Sequence, residues 1–238
     1  MKLHLLGVNG PYPASGGATS GYLLETENAL IQFDFGTGIL SRLTSLCPPE
    51  SLDAIFISHW HFDHTSDLLP LLYRLADQSC SLTIYGPADD TSVLRQIIAA
   101  SSSLKLETVQ AGNHIPVGSA LVSVGEARHP VPGVSYRLSE GGKDFGYTGD
   151  TNTLPSLADF FRGCDLLLAD GLFPKEAWAE DKPHLSAALA ARLAREAGVG
   201  KLIITHLNPS FPPETLLSEA REVFPAVALA SAGQIISL

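Results

Sequence analysis

Residues 52–64 read LDAIFISHWHFDH, and four of the last six residues in this stretch have side chains that can bind a metal ion. The apolar run LDAIFIS has the composition of a buried strand. His59 and His61 follow in extended backbone, so their imidazoles point the same way. A turn after them brings Asp63 and His64 to a second position nearby. Neutral imidazoles and carboxylates bind zinc, and also manganese or iron, so the stretch predicts a metal site at the end of a strand.

The size and charge of the chain limit the classes of protein to which it can belong. It has 238 residues, of which 45% are hydrophobic and 17% charged, with a formal net charge of −10. This composition suits one α/β domain spanning residues 1–238 and excludes a disordered chain. The acidic surface would repel phosphate backbones, so we do not expect nucleic acid as a partner.

The cysteines and the N-terminus indicate the compartment. Cys47, Cys80 and Cys164 are odd in number and have no CxxC spacing, so we expect free thiols and neither a disulfide framework nor a thiolate zinc site. The first ten residues, MKLHLLGVNG, lack the apolar core of a secretory signal. No stretch approaches the roughly 18–20 apolar residues that cross a membrane. We therefore expect a cytoplasmic protein with no membrane partner.

Strand-like and helix-like patterns alternate along the whole chain and predict an α/β protein with more than one sheet. The predicted strands are 2–8, 20–25, 29–35, 52–58, 82–86, 104–109, 114–117, 120–127, 133–139, 143–148, 165–170, 201–205, 226–230 and 234–237. The predicted helices are 67–76, with Ser66 or Asp67 as N-cap, 89–100, 153–161, 185–197 and 213–223.

The run HWHFDH resembles the HxHxDH signature of the metallo-β-lactamase superfamily. The resemblance extends over nearly the whole chain and implies a four-layer αββα sandwich. FDFGTG (33–38) is similar to an early strand of that family that ends in Asp and Gly. There the Asp, here Asp34, supports the metal loop through hydrogen bonds to the ligand side chains. Capping of the following helix is the alternative role for Asp34.

The same resemblance implies three further ligands, each after a strand. They are His129 in VGEARHPVPG, Asp150 in FGYTGDT and His206 in KLIITHLNP. A buried structural histidine or a turn aspartate is the alternative for each taken alone. His4 and His114 are left with structural roles. Together the ligands imply two divalent metal ions, with zinc favoured: His59, His61 and His129 would hold one, Asp63, His64 and His206 the other, and Asp150 with a water-derived hydroxide would bridge them.

The segment KPHLSAALAARLAREAGVGKLIITHLNP (182–209) is similar to a region of ribonuclease Z and its relatives. In that branch the position of His184 serves as a proton donor or phosphate stabiliser. In this chain, Asp63 would orient or deprotonate the attacking water. A structural histidine at a helix N-terminus is the alternative. Two departures matter. His129 and Asp150 are only 21 positions apart, which leaves too little chain for the arm that grips tRNA. Tyr147 stands where the family has a Glu partner for the catalytic histidine.

These features predict a phosphodiesterase that acts on a small or cyclic phosphodiester. Three alternatives stay open: a ribonuclease Z-type RNA endonuclease, a carboxylic ester or lactone hydrolase with Tyr147 as a weak hydroxyl donor, and a non-catalytic or redox member of the superfamily. Relatives commonly dimerise, so the resemblance also allows a homodimer.

Overall fold

Two seven-stranded sheets lie at the centre of residues 1–76 and 82–238, which the computed structural model describes. The strands are β1 Lys2–Gly7, β2 Gly21–Glu25, β3 Leu30–Phe33, β4 Ala54–Phe56, β5 Leu82–Pro87, β6 Leu104–Val109, β7 His114–Val117, β8 Ala120–Glu126, β9 Val134–Glu140, β10 Lys143–Tyr147, β11 Leu166–Asp170, β12 Lys201–Thr205, β13 Val227–Leu229 and β14 Ile235–Ser237. The helices are α1 Ile39–Leu43, α2 Phe62–Thr65, α3 Leu68–Leu75, α4 Val93–Ala99, α5 Ser156–Phe160, α6 Ala187–Ala197 and α7 Pro213–Arg221.

Each sheet combines antiparallel and parallel strands. The first has the order β14-β1-β2-β3-β4-β5-β6, and the second has the order β13-β12-β11-β10-β9-β8-β7. In the first sheet β3 to β6 run parallel, and in the second β10 to β13 do. The carboxyl ends of parallel strands meet at one edge of a sheet, and ligand sites form in the crevice outside that edge.

The fold has four layers, helices, sheet, sheet and helices, with an apolar core between each neighbouring pair. A central core between the sheets contains Phe33, Phe56 and Tyr136. A second core packs α1, α3 and α4 against the outer face of the first sheet, and a third packs α5, α6 and α7 against the second. This arrangement confirms the predicted αββα sandwich.

The predicted strands are all present, with bounds that differ by no more than two residues. Asp67, one of the two predicted N-cap residues, does occupy the N-cap position of α3, but its side chain makes no cap hydrogen bond there. Its Oδ2 instead accepts a hydrogen bond of 2.8 Å from the amide of Leu40, and so satisfies a free N–H group at the start of α1.

The described cysteines behave as free thiols. Cys164 is buried and Cys47 is half-buried, and neither is in a disulfide. Burial raises the pKa of the Cys164 thiol to about 12. Cys80 lies outside the described residues. No helix in the described part of the chain is long and apolar enough to cross a membrane.

Candidate metal centre

The histidine-rich loop begins where β4 ends and closes with the single turn of α2. His59 and His61 lie on the loop, and His129 joins them from the connection between β8 and β9. The Nδ1 atom of His61 lies 2.9 Å from Nε2 of His59 and 3.1 Å from Nε2 of His129. Three imidazole nitrogens from two distant segments therefore converge on one point.

A second group of side chains lies beside the first. It consists of Asp63, His64, Asp150 and His206. The Nε2 atom of His206 is 3.1 Å from Oδ2 of Asp63 and 3.3 Å from Oδ2 of Asp150. The Nε2 atom of His64 is 3.2 Å from the same Asp150 oxygen. All seven residues that the resemblance named are thus brought together, in the two predicted sets.

Asp150 lies between the two sets. Its Oδ2 atom, which faces His64 and His206 in the second set, is also 3.6 Å from Nε2 of His59 in the first. The side chain is buried, which by itself would raise the pKa of its carboxyl. The surrounding imidazoles, led by His206 and His64, outweigh burial and hold that pKa well below its usual range. Asp150 is therefore a carboxylate placed to contact a cation in either set.

Asp34 supports the loop from below, at the end of β3. Its carboxylate accepts hydrogen bonds from the amide of Ser58 at 2.7 Å and the hydroxyl of Ser58 at 2.8 Å. Oδ2 also lies 2.7 Å from Nδ1 of His64. Because a carboxylate only accepts, Nδ1 of His64 carries the proton and Nε2 presents its lone pair to the second set.

The structure corrects the suggestion that Tyr147 could donate a hydrogen bond to a substrate oxygen. Tyr147 is only 1% exposed, and its hydroxyl donates to Oδ2 of Asp34 at 2.5 Å. Burial raises the pKa of its hydroxyl well above the usual value, which keeps the group protonated and donating. Tyr147 lies behind the metal loop and cannot reach a substrate.

His184 lies against the second set, two residues ahead of Ser186, the N-cap of α6. Its ring stacks on that of His206 with a centroid distance of 4.9 Å, and its Nδ1 is 2.8 Å from Oδ2 of Asp170. Burial lowers the pKa of His184, but the nearby carboxylates of Asp170 and Asp150 raise it more, to about 9. The ring is held by Nδ1, which leaves Nε2 as the nitrogen that can donate to a substrate oxygen.

Asp170 is the site residue that sequence reasoning missed. The resemblance predicts the acidic partner of the catalytic histidine just before Asp150, where this chain has Tyr147 instead. The carboxylate comes instead from the end of β11 and also accepts hydrogen bonds from the amides of Thr151 and Leu172, each at 3.2 Å. The available signal was the run LLLAD, an apolar strand that ends in an acid as the Asp34 strand does.

His4 and His114 take no part in the centre. Nε2 of His4 lies 3.4 Å from a carboxylate oxygen of Glu25, and Nδ1 of His114 lies 2.9 Å from the hydroxyl of Ser123. Both contacts lie within the sheets and link neighbouring strands.

The nitrogen and oxygen atoms of the two sets are better suited to binding cations than to hydrogen bonding with one another. A hydrogen bond between His61 and either neighbouring imidazole uses one proton and one lone pair, whereas a cation at their centre would accept the lone pairs of all three nitrogens. Nδ1 of His129 faces the carbonyl of Pro183 at 3.1 Å, which leaves Nε2 as the lone-pair nitrogen. In the second set, Nε2 of His64 is buried and makes no hydrogen bond among the described residues. A buried polar atom without a partner is costly, and a bound cation would remove that cost.

Comparisons with known proteins agree with this geometry. Residues 31–207 match the family model described as "Beta-lactamase superfamily domain". The chain is 30% identical over 230 residues to the probable metallo-hydrolase YhfI of Bacillus subtilis, covering 94% of each chain. It is 29% identical to ribonuclease Z of Methanopyrus kandleri, over 99% of this chain and 97% of that protein.

The fold comparison gives the same family. The crystal structure of YhfI superimposes with a TM-score of 0.92 and 31% sequence identity, covering 99% of this chain and 98% of that one. The family model spans well over half of the chain, and its metallo-hydrolases require divalent metal ions. The chain therefore belongs to the metallo-β-lactamase superfamily and is a metal-dependent hydrolase.

Proposed function

We propose that this hydrolase is a phosphodiesterase that cleaves small or cyclic phosphodiesters with two divalent cations, zinc being favoured. His59, His61 and His129 would hold one cation, and Asp63, His64 and His206 would hold the other. Asp150 would contact both. The observation that carries the proposal is the pair of ligand sets sharing the Asp150 oxygen, with the ring of His184 stacked against them.

Cations held by these two ligand sets would activate water and neutralise the charge of the reacting phosphate. Asp63 is half-buried, so its carboxylate can both bind and accept a proton from the attacking water. His184 would protonate the leaving oxygen or hold a non-bridging phosphate oxygen through Nε2. Asp170 would fix the orientation of that ring by accepting the Nδ1 proton.

The short segment between His129 and Asp150 favours a small substrate over tRNA. A short loop leads into the hairpin of β9 and β10, which turns at Gly141 and Gly142. The alignment with ribonuclease Z of Methanopyrus kandleri runs over 275 positions, and this chain has 238 residues. At least 37 residues of that protein therefore have no counterpart in this chain. The net charge of −10 further disfavours capture of a polyanion. Titration with tRNA at low salt is expected to show no binding.

A carboxylic ester or lactone hydrolase on the same centre is the second candidate. It needs a hydroxyl donor beside the acyl oxygen, and the buried position of Tyr147 removes the residue that had been suggested. Side-by-side assay of a lactone and a phosphodiester separates the two chemistries. A homodimer and a cytoplasmic location stay predictions.

The test is turnover of bis(p-nitrophenyl) phosphate by the Zn²⁺- or Mn²⁺-loaded protein. We expect hydrolysis, and we expect His184→Ala to lose about 100-fold of kcat while keeping both metals, because removing one hydrogen-bond donor to the reacting phosphate costs roughly 10²–10³-fold. His114→Ala is the matched control, since that histidine lies exposed on β7. Unchanged turnover in His184→Ala would remove His184 from the mechanism. A fully metal-loaded protein that cleaves lactones but no phosphodiester would refute the proposal.

A further inference from the structure

A groove of about 790 Å³ begins at His129 and runs away from the metal centre. One wall is formed by the residues that follow β5 and β6, and the other by the connection from β8 to β9, which carries His129. The groove thus opens at the carboxyl ends of parallel strands of the first sheet, where α/β proteins commonly bind ligands.

Apolar side chains form much of the accessible lining of the groove, which also includes the exposed Thr108 and Gln110. Pro130 and Pro132 are exposed, Val131 is half-buried, and the exposed Ala88 lies on the opposite wall. Among the residues that the structure describes, no lysine lines the groove. Such a surface offers contact to an apolar ring and little to a chain of phosphates.

The two charged residues of the groove are engaged elsewhere. The Arg128 guanidinium donates to the backbone carbonyl of Glu180 at 3.2 Å and to that of Thr153 at 3.5 Å. A carboxylate oxygen of Glu126 accepts a hydrogen bond of 2.8 Å from the hydroxyl of Ser156. Both side chains thus have hydrogen-bond partners outside the groove, and Pro130, Val131 and Pro132 provide its apolar contact surface.

One of the more accessible proposed ligands, His129, also lines this groove. His61, Asp63 and His129 are half-buried, whereas the remaining ligands are buried, so a substrate must approach past these three. His184 does not line the groove; it lies beside His129, with a centroid distance of 5.2 Å. If His184 assists the leaving oxygen, the groove receives the substituent that stays on the phosphate.

We propose that this groove is a specificity site for one apolar substituent of ring size on the phosphate, a substituent that is retained in the product. The proposal rests on the proposed phosphodiesterase function and narrows its substrates to monoanionic diesters with an apolar group. The recognition is hydrophobic contact with Val131, the prolines and Ala88.

The experiment compares two substrates that share one leaving group, methyl p-nitrophenyl phosphate and phenyl p-nitrophenyl phosphate. We expect kcat/KM to be about tenfold or more higher for the phenyl diester, as is typical when one apolar group enters a hydrophobic pocket. Ala88→Trp, which fills the groove from an exposed position, is expected to abolish this preference. Ala226→Trp is the matched control, because Ala226 is exposed next to β13, at the opposite edge of the second sheet from β7.

A binding measurement separates failure of this proposal from failure of the proposed function. Calorimetry of the metal-loaded protein with diphenyl phosphate and with dimethyl phosphate is expected to show about tenfold tighter binding of the former, lost in Ala88→Trp. Should both diesters turn over equally in every variant, the groove is not a specificity site although the enzyme is a phosphodiesterase. Should no diester turn over while this binding difference is seen, the groove proposal stands and the phosphodiesterase assignment fails. Equal binding of the two phosphates overturns the groove proposal in either case.

Discussion

Asp34 and His206 are the residues outside glycine with left-handed backbone in the described ranges, with φ of 52° and 58°. Such a conformation costs about 1–3 kcal/mol and persists only where the surroundings enforce it. Around His206 the enforcement comes from the N-terminal loop. The amide of Leu207 donates to the carbonyl of Val8 at 2.8 Å, and the amide of Gly10 donates to the carbonyl of Leu207 at 3.2 Å. The family resemblance predicted the roles of Asp34 and His206 but not their left-handed backbone conformation, because a sequence motif specifies residue types and not dihedral angles.

Gly10 is expected to position His206. A Cβ atom at residue 10 would lie 2.0 Å from Nε2 of His206, so Gly10→Ala must displace the imidazole that faces Asp63 and Asp150. We expect about 10–100-fold weaker binding of one metal equivalent, the usual effect of disturbing the support of a ligand. Metal stoichiometry and the absorption spectrum of the Co²⁺-substituted protein report this without an activity assay.

Gly133→Ala is the control for Gly10→Ala, because Gly133 lies beside the other ligand set. A Cβ atom there would meet the Cβ atoms of His59 and His129 at 3.7 and 3.8 Å, which are ordinary contacts. This variant should bind both metals normally. In a His206→Ala background, Gly10→Ala should add little, since both changes act on one interaction. Additive losses in that double variant would show that Gly10 acts elsewhere.

At the scale of elements, the strands were predictable, whereas α1 and α2 were not. Alternating and apolar runs gave each strand a clear pattern. In contrast, α1 has five residues and α2 has four, too few for a helical period to be recognised. The five residues of α5 were predicted only as part of a longer helix, 153–161. Asp170 was not predicted as a site residue, because a single acid after a strand does not by itself indicate a function. Its function depends on the fold, which brings His184 next to it.

The central strands also place buried tyrosines under the loops that carry ligands. Tyr22 on β2 makes a hydrogen bond of 2.8 Å with the hydroxyl of Thr205, next to His206. Tyr136 on β9 donates to the carbonyl of Ile57 at 2.7 Å, two residues before His59. Burial raises the pKa of the Tyr136 hydroxyl well above its usual value, so the group stays protonated and donates. The elements thus hold the ligand loops from inside the core.

Tyr136→Phe is therefore expected to destabilise the protein by about 1–3 kcal/mol, because the buried Ile57 carbonyl loses its donor. Urea unfolding followed by circular dichroism measures this as a lower midpoint with an unchanged slope. Tyr73→Phe is the control: Tyr73 is 87% exposed, and its loss of a hydroxyl should change the free energy of unfolding by no more than about 0.5 kcal/mol. Equal midpoints for the two variants would mean that the Tyr136 hydroxyl contributes nothing to stability.

At the scale of the whole molecule, the proposed ligands join parts of the chain that lie far apart in sequence. They extend from His59, after β4 of the first sheet, to His206, after β12 of the second. The fold was predictable because the superfamily motif fixes this convergence. The groove was not, since its walls come from loops that are far apart in sequence, and only His129 among the lining residues belongs to the motif residues. Cations shared by both sheets would act as crosslinks between the two halves of the sandwich.

Metal removal is accordingly expected to destabilise the entire sandwich. A ligand present at 1,000 times its Kd adds about 4 kcal/mol to the free energy of unfolding, and in a chain of this size each kcal/mol changes Tm by about 2–4 °C. Dialysis against a chelator should therefore lower Tm by roughly 10 °C, and Zn²⁺ should restore it. The control is a variant with His59→Ala and His206→Ala, one substitution in each ligand set, for which the same treatment should change Tm much less. If the chelator shifts both proteins equally, it acts on something other than these ligands. If it shifts neither, the two sheets are not held together through bound cations.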